Sequence, residues 1–375
     1  MVIGITCYPV AGGSGVVATE LGQQLAVHGH EVHFISYALP FRLEKYQANL
    51  IYHGVETTAY PLFKYPPYAL PLAAKMASVS RDYDLDILHM HYAVPHATCA
   101  YLARQMLEIN GGKAPKIITT LHGTDITLVG SDPSFYDITR FSIMASDGIT
   151  AVSRYLADET QEVFKVNKEI RVIPNFVVPE RFKPCDGECC RDQFARPGEH
   201  LLAHVSNFRP VKRTLDVIDI FARVAAEVPS RLVLIGEGPE TVLARRQITK
   251  RNLTDRVTFL GSQSRVEAVL PCCDLFLLPS EEESFGLAAL EALACGVPVI
   301  GTSGTGLAEV VDDGKNGFLR NVGDTEAMAE AALSLLKNPQ QYYSFRHAAA
   351  ETRESFGARR IVGQYEEYYQ ETLDG

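Results

Sequence analysis

Short apolar runs rich in Val and Ile recur along the chain, each followed by a longer segment of helical pattern or by a loop. VIGITCY (2–8), EVHFISY (31–37), DILHMH (86–91), KIITTLH (116–122) and GITAVS (148–153) form a first series. After VIPNFVVPERFKP (172–184) the cycle restarts with LLAHVSN, RLVLIG, VTFLG, DLFLLP and PVIG, separated by helix-length segments such as 213–228. Buried strands alternating with helices are the rhythm of a parallel α/β sheet. Pro174, Pro179 and Pro184 interrupt helix and ladder bonding, so the stretch 174–198 is expected to be a linker, with a cleft beside it. The pattern therefore predicts two Rossmann-like α/β domains facing across a central cleft, one over residues 1–175 and one over 176–357. Residues 358–375 are helical in pattern and rich in Tyr and Glu, and either cap the second domain or cross back to the first.

Size and composition agree with two cores. The chain has 375 residues, 46% hydrophobic and 21% charged, in the range of globular domains. A formal charge of −10 disfavours nucleic acid, which is held by clustered Lys and Arg, so any bound anion must meet a local cationic pocket. The N-terminus lacks a basic region followed by an apolar run, and no stretch of about 18 apolar residues occurs, which predicts a cytoplasmic protein without membrane insertion. Eight cysteines are present, but none of their spacings makes a zinc or disulfide framework. They read as buried or incidental thiols, with Cys185, Cys189 and Cys190 on a surface loop.

Two glycine-rich turns carry candidate chemistry. After the first strand, Gly13, Gly15 and Ala18 have G-x-G-x-x-A spacing, which lets a ligand approach a helix N-terminus. A nicotinamide or flavin site would also need an acidic residue at the end of the second strand, and HFISYALP has none. A turn that merely packs the first helix stays open as a reading. In EEESFGLAALEALACGVPVIGT, Glu283 and Glu291 lie eight residues apart around an SFGL turn. The amides of Phe285, Gly286 and Leu287 can hold an anion there, with carboxylates beside them accepting from sugar or ribose hydroxyls. Glu281 and Glu282 read as capping or solvated residues. Arg209 and Lys212 in SNFRPVKR offer a guanidinium fork and a point charge at a strand end, suited to a leaving diphosphate.

The E-x7-E element, its SFGL turn and the following GVPVIGT resemble the donor site of the glycogen-synthase-like retaining glycosyltransferases, which have the GT-B fold. That resemblance implies that Glu291 binds the donor ribose and Glu283 the sugar, with Asn207, Ser284, Phe285, Gly286, Leu287 and the Gly13 turn around the donor. It implies no metal, the diphosphate being held by a basic pair. The family's usual G-R spacing is altered here, which leaves Arg209, Lys212 and Arg213 open for that contact. GITCYPVAGGSGVVATELG, LPFRL, FKYPPY, DILHMHYAVPHA, TTLHGTDITLVGSDPS and SNFRPVKR resemble more narrowly the branch that glycosylates L-malate at the start of bacillithiol biosynthesis. UDP-GlcNAc is the donor and L-malate the acceptor that this likeness implies, and it leaves a homo-oligomer open.

By the same resemblance Ser14, Tyr92, Thr120 and Arg140 surround the acceptor carboxylates, Arg140 as the anchor. Its alternative is a surface helix charge, as for Arg42 in LPFRL. His122 in TLHGTD is expected at the donor sugar, with a hydrogen-bonded core histidine as the other reading. His89, His91 and His96 are spaced irregularly for a shared metal, so none is expected there, and Asp125 reads as a loop stabiliser or helix cap. The resemblance implies front-side transfer, in which Arg209 and Lys212 stabilise the leaving charge and the departing phosphate takes the acceptor proton. Rival readings are the same chemistry on inositol phosphate or a lipid-linked sugar, a nucleotide-sugar binding module without turnover, and a nicotinamide oxidoreductase.

Overall fold

A computed structural model describes residues 1–10, 12–43, 46–56, 68–128, 132–185 and 190–375. Cys189, most of FKYPPY and residues 129–131 of the HGTD run lie outside the described residues. The chain forms two units, Met1–Pro174 with Arg359–Gly375, and Asn175–Ala358.

Unit 1 is built on β1 (Val2–Thr6), β2 (Glu31–Ser36), β3 (Leu50–Gly54), β4 (Ile87–His91), β5 (Lys116–Leu121), β6 (Gly148–Ala151) and β7 (Arg171–Val172). They form a parallel sheet in the order β3-β2-β1-β4-β5-β6-β7. Ile3 of β1 lies opposite both Val32 and Ile87, and all three are fully buried, which is why the central strands read as unbroken apolar runs. The connections are α1 (Gly13–Val27), α2 (Ala69–Tyr83), α3 (Thr98–Ile109), α4 (Pro133–Ala145) and α5 (Arg154–Phe164). Leu72 and Met76 of α2 and Ala100 and Ala103 of α3 pack with Leu88, Met90 and Ile117 into one core. Local chemistry fixes the helix starts: Asp132 accepts from Ser134 N with Pro133 in the first turn, and Ser153 accepts from Leu156 N.

Unit 2 repeats the plan with β8 (His200–Val205), β9 (Ser230–Ile235), β10 (Val257–Gly261), β11 (Leu275–Leu278), β12 (Val299–Thr302) and β13 (Gly317–Arg320), in the order β10-β9-β8-β11-β12-β13. Leu202 faces both Leu232 and Leu275 across the ladder. The helices are α6 (Thr214–Glu227), α7 (Thr241–Lys250), α8 (Leu287–Ala294), α9 (Thr325–Leu336) and α10 (Pro339–Ser355). Phe221 and Val224 of α6 and Met328 and Leu335 of α9 close the core over Leu232 and Leu277.

The stretch expected as a linker is ordered from its start. Val177 N donates to Phe356 O at 3.0 Å and Ala358 N donates to Val177 O at 2.9 Å, so the residues after Pro174 already belong to unit 2. The last helix, α11 (Ala358–Asp374), returns to unit 1. Tyr365 and Tyr369 are buried there, Tyr369 Oη lies 2.7 Å from His89 Nδ1, and Tyr368 Oη accepts from Ile149 N at 2.9 Å. Glu366 receives His28 Nδ1 at 3.0 Å and His30 Nε2 at 2.8 Å. Among the described residues no helix is long and apolar enough to cross a membrane.

Candidate functional site

Open parallel sheets bind ligands beyond the carboxyl ends of their strands, where the strand order reverses. In unit 2 that point lies between β8 and β11. The loop after β8 leaves Asn207 exposed, turns at the buried Phe208 (φ 39°), and places Arg209 before the turn Pro210–Lys212. Among the described residues the Arg209 guanidinium has no partner. Lys212 Nζ lies 2.8 Å from Glu283 Oε2, and Arg213 Nε donates to Asp216 Oδ2 at 2.7 Å. Of the three basic residues left open by sequence, Arg213 is therefore turned into the first turn of α6, while Arg209 and Lys212 stay at the strand end.

The loop after β11 meets them. Glu281 N donates to Val211 O at 2.8 Å, and Glu283 O accepts from Gly306 N at 2.8 Å. Glu281 and Glu282 are exposed, and Ser284 is half-buried. Phe285 is buried with its ring 5.8 Å from that of Phe356, which anchors the SFGL turn. Gly286 has φ 91° as the residue before α8, a left-handed backbone that suits glycine. A Cβ there would also stand 2.6 Å from Leu307 Cδ1. Leu287 opens α8, and Glu291 lies one turn further, 4% exposed.

Sequence reasoning passed over His204, a polar break in the apolar run LLAHVSN. Its Nδ1 lies 2.8 Å from Leu277 O, so Nδ1 donates and the neutral ring accepts at Nε2, 2.8 Å from Ser206 Oγ. Ser206 Oγ in turn accepts from Phe208 N at 3.2 Å, so the histidine braces the turn that carries Arg209. Burial lowers the His204 pKa to about 4, and it stays neutral at pH 7.

The corresponding point in unit 1 lies between β1 and β4, where among the described residues hydroxyls, phenols and imidazoles gather. Ser14, in the first turn of α1, has its Oγ 3.1 Å from Tyr92 Oη. Gly13 opens the same helix, but a Cβ on it would meet nothing within 4 Å, whereas one on Gly15 would stand 2.6 Å from Tyr8 O. The close approach that the glycine spacing suggested therefore falls on Gly15. Tyr92 has φ 107° and donates its backbone N–H to Thr120 O at 3.1 Å. Tyr8 packs edge-on to Tyr92 at 5.3 Å and against His96 at 4.6 Å.

His91 Nδ1 and His122 Nε2 are 2.8 Å apart with stacked rings, and His96 Nδ1 donates to His91 O at 2.6 Å. Burial lowers the pKa of His89 and His122 to about 3 and of His96 to about 4, and it pushes His91 well down, so all four are neutral at pH 7. Asp125, 1% exposed, accepts from the backbone N–H of Ala93, His122 and Gly123 at 3.0, 3.3 and 3.1 Å. Burial raises its pKa to about 6 against those hydrogen bonds. Its carboxylate ties the loop after β4 to the loop after β5. Among the described residues no three His, Cys, Asp or Glu side chains converge as a metal cage requires.

The side chains of two further residues expected around the acceptor, Thr120 and Arg140, make hydrogen bonds with other groups. Thr120 is fully buried, with Oγ1 2.6 Å from both His89 Nε2 and Thr150 Oγ1. Its position on the strand turns it toward the Tyr365 and Tyr369 side of the sheet. Arg140 is exposed on α4, one turn beyond Tyr136, and donates Nε to Phe164 O at 3.0 Å, at the last residue of α5. This Nε contact ties α4 to the last residue of α5. Arg42 follows β2 with φ 71°.

Residues 11–181 match a family model described as Glycosyltransferase Family 4, and residues 190–352 one described as Glycosyl transferases group 1. The chain is 50% identical over 374 residues to the N-acetyl-alpha-D-glucosaminyl L-malate synthase of Bacillus anthracis, covering 99% of this chain and 97% of that protein. It is 33% identical over 194 residues to the D-inositol 3-phosphate glycosyltransferase of Mycobacterium marinum, 48% of this chain and 41% of that one. Among solved structures, Anabaena HepE in complex with UDP-glucose matches with a TM-score of 0.81 at 20% identity, over 99% of this chain and 100% of that one. Sucrose-phosphate synthase from Thermosynechococcus elongatus matches with a TM-score of 0.79 at 21% identity, over 100% and 99%.

Proposed function

The chain belongs to the glycosyltransferases that these two family models describe, with the GT-B fold, and from that premise we propose that it moves N-acetylglucosamine from UDP-GlcNAc to L-malate with retention of configuration. The end-to-end match to the Bacillus anthracis synthase carries this reading. The reaction would open bacillithiol biosynthesis.

On this reading unit 2 holds the donor. The amides at the start of α8 and the Arg209 guanidinium meet the diphosphate, and Lys212, held 2.8 Å from Glu283, adds a second cation. Glu283 accepts from sugar hydroxyls and Glu291 from the ribose. As the bond from the anomeric carbon to the phosphate oxygen breaks, negative charge grows on the β-phosphate, where Arg209 and Lys212 stabilise it without a divalent ion. Unit 1 offers the malate dianion the N–H groups at the start of α1 with the Ser14 and Tyr92 hydroxyls. The malate hydroxyl oxygen bonds to the anomeric carbon on the face the phosphate leaves, and its proton passes to the departing phosphate oxygen. Among the described residues the mutually bonded imidazole pair and the hydrogen-bonded Asp125 are already engaged, which supports the phosphate as proton acceptor.

The test is to incubate the protein with UDP-GlcNAc in EDTA, with and without L-malate, and to follow UDP release and product mass. Malate-dependent UDP and an N-acetylglucosaminyl-malate mass are expected. UDP release without that adduct would overturn the acceptor, and failure to use the donor would overturn the whole reading.

A further inference from the structure

Two cysteines meet at the end of unit 2 opposite the donor loops. Cys190 opens the turn Cys190–Gln193, and Cys272 closes the turn Leu270–Cys272 that feeds β11 from its amino end. Their Sγ atoms are 3.2 Å apart, and both thiols face Ala268 O, at 3.1 and 3.9 Å. Cys272 is buried, and Cys190 is half-buried. The backbone around them is already stapled: Arg191 donates to Cys272 O, Glu199 O and Asp274 Oδ2, each at 2.7 Å. The two segments are thus held in place by a residue adjacent to one sulfur and by the carbonyl of the other.

We propose that Cys190 and Cys272 form a reversible dithiol–disulfide site whose co-substrate is a low-molecular-weight disulfide. The more accessible Cys190 loses its proton and attacks one sulfur of the small disulfide, whose S–S bond breaks and whose other half leaves and takes up a proton as a thiol. Cys272 then loses its proton and attacks Cys190 Sγ, expelling the second half as a second thiol. Two protein thiols are oxidised to one disulfide, and the small disulfide is reduced to two thiols, so electrons and protons balance. A bond of about 2.05 Å requires the sulfurs to close by roughly 1 Å, within reach of side-chain rotation. The bond would join residues 82 apart in sequence and constrain the unfolded chain strongly. Cys7 and Cys99 compete poorly, because burial raises each thiol to about 12, and burial raises Cys273 and Cys295 as well.

The full chain is treated with oxidised glutathione at pH 8 and its free thiols blocked, and the non-reduced digest is mapped by mass spectrometry. Expected are the loss of two hydrogens in mass, a link from the peptide containing Cys190 to the peptide containing Cys272, and a melting temperature several degrees higher that dithiothreitol reverses. Cys185→Ser and Cys189→Ser should keep the link, and the half-buried Cys190→Ser should abolish it. A link that survives Cys190→Ser, a glutathione adduct that stays on Cys190, or no reaction at all would each overturn the proposal. This outcome is independent of which sugar or acceptor the enzyme uses.

Discussion

The two units share one topology and treat charge in opposite ways at the same place in it. At the strand ends of unit 2 the side chains are ionic: Arg209 unpaired among the described residues, Lys212 against Glu283, Glu281 and Glu282 exposed. Among the described residues that gather beside β1 and β4 in unit 1 they are imidazoles and phenols, and the carboxylate of Asp125 is consumed by three backbone N–H groups. A group that must follow charge developing on a leaving diphosphate benefits from full cations. An acceptor whose charge does not change during the reaction needs only fixed dipoles to orient it. The difference between the units thus mirrors the two halves of the proposed reaction.

The largest effects should come from removing the cations. Arg209→Ala is expected to lower kcat by about 10²–10³, the usual scale for losing one charge-stabilising donor, with far less change in the KM for malate. Lys212→Ala should lower kcat as well, by less, because Glu283 already takes part of its charge. Steady-state kinetics with UDP-GlcNAc decides this, and an unchanged kcat for Arg209→Ala would remove that residue from the chemistry. On the neutral side, Tyr92→Phe deletes one hydroxyl, and about 1 kcal/mol for a neutral hydrogen bond corresponds to roughly a fivefold rise in malate KM at constant kcat. If Tyr92→Phe cost as much turnover as Arg209→Ala, the contrast between the units would fail.

Acid should separate the units next. His89, His96 and His122 have folded pKa values of about 3 to 4, and His91 lies well below its ordinary value, whereas unfolded histidine titrates near 6.5. The unfolded chain therefore binds more protons below about pH 6.5. The stability these residues contribute is full above that pH and is lost as the pH falls through it toward 4. Asp125 has the opposite sign: raised to about 6, it stabilises the fold at low pH and loses that contribution as the pH rises through 6. One carboxyl does not offset four imidazoles, so unit 1 is expected to weaken between pH 6.5 and 4.5. Among the described residues of the strand-end cluster in unit 2 one such group occurs, His204. Hydrogen exchange corrected for intrinsic rate, read on residues 87–125 and 200–236, checks the order of opening. Earlier opening of 200–236 would reverse it.

The geometry of the proposed donor half was legible because its residues are local in sequence. Glu283, the SFGL turn and Glu291 fall within nine consecutive residues on one loop and helix, so spacing alone brings them together, and only Lys212 and Arg209 had to be joined to them by a strand-end argument. The proposed acceptor half depends on which way a side chain faces, which spacing does not give. Thr119 and Thr120 are neighbours on β5 and point to opposite faces, one to Ser146 and the other to His89. The imidazole pair His91–His122 joins residues 31 apart, and its signal was the density of histidine in DILHMHYAVPHA, which irregular spacing had set aside. In the fold, the central strands were read and β3, β7 and β13 were missed. β7 has two residues, and β3 and β13 are edge strands of five and four residues that are mostly half-exposed, so their apolar signal is weak.

The smallest expected effect is the sharpest check on the neutral character of unit 1. Arg140 was the cation that sequence offered for malate, and its Nε donates to the last carbonyl of α5. Arg140→Ala should therefore leave kcat and malate KM within about twofold and lower stability by roughly 0.5–1 kcal/mol, the range of one exposed hydrogen bond at a helix C-terminus. A melting curve and a malate titration on the same preparation separate the two outcomes. Should malate saturation disappear while the melting temperature holds, the acceptor dianion would be met by a full cation after all. Both units would then answer charge with charge, and the dipoles around Ser14 and Tyr92 would be left to orient the acceptor rather than to bind it.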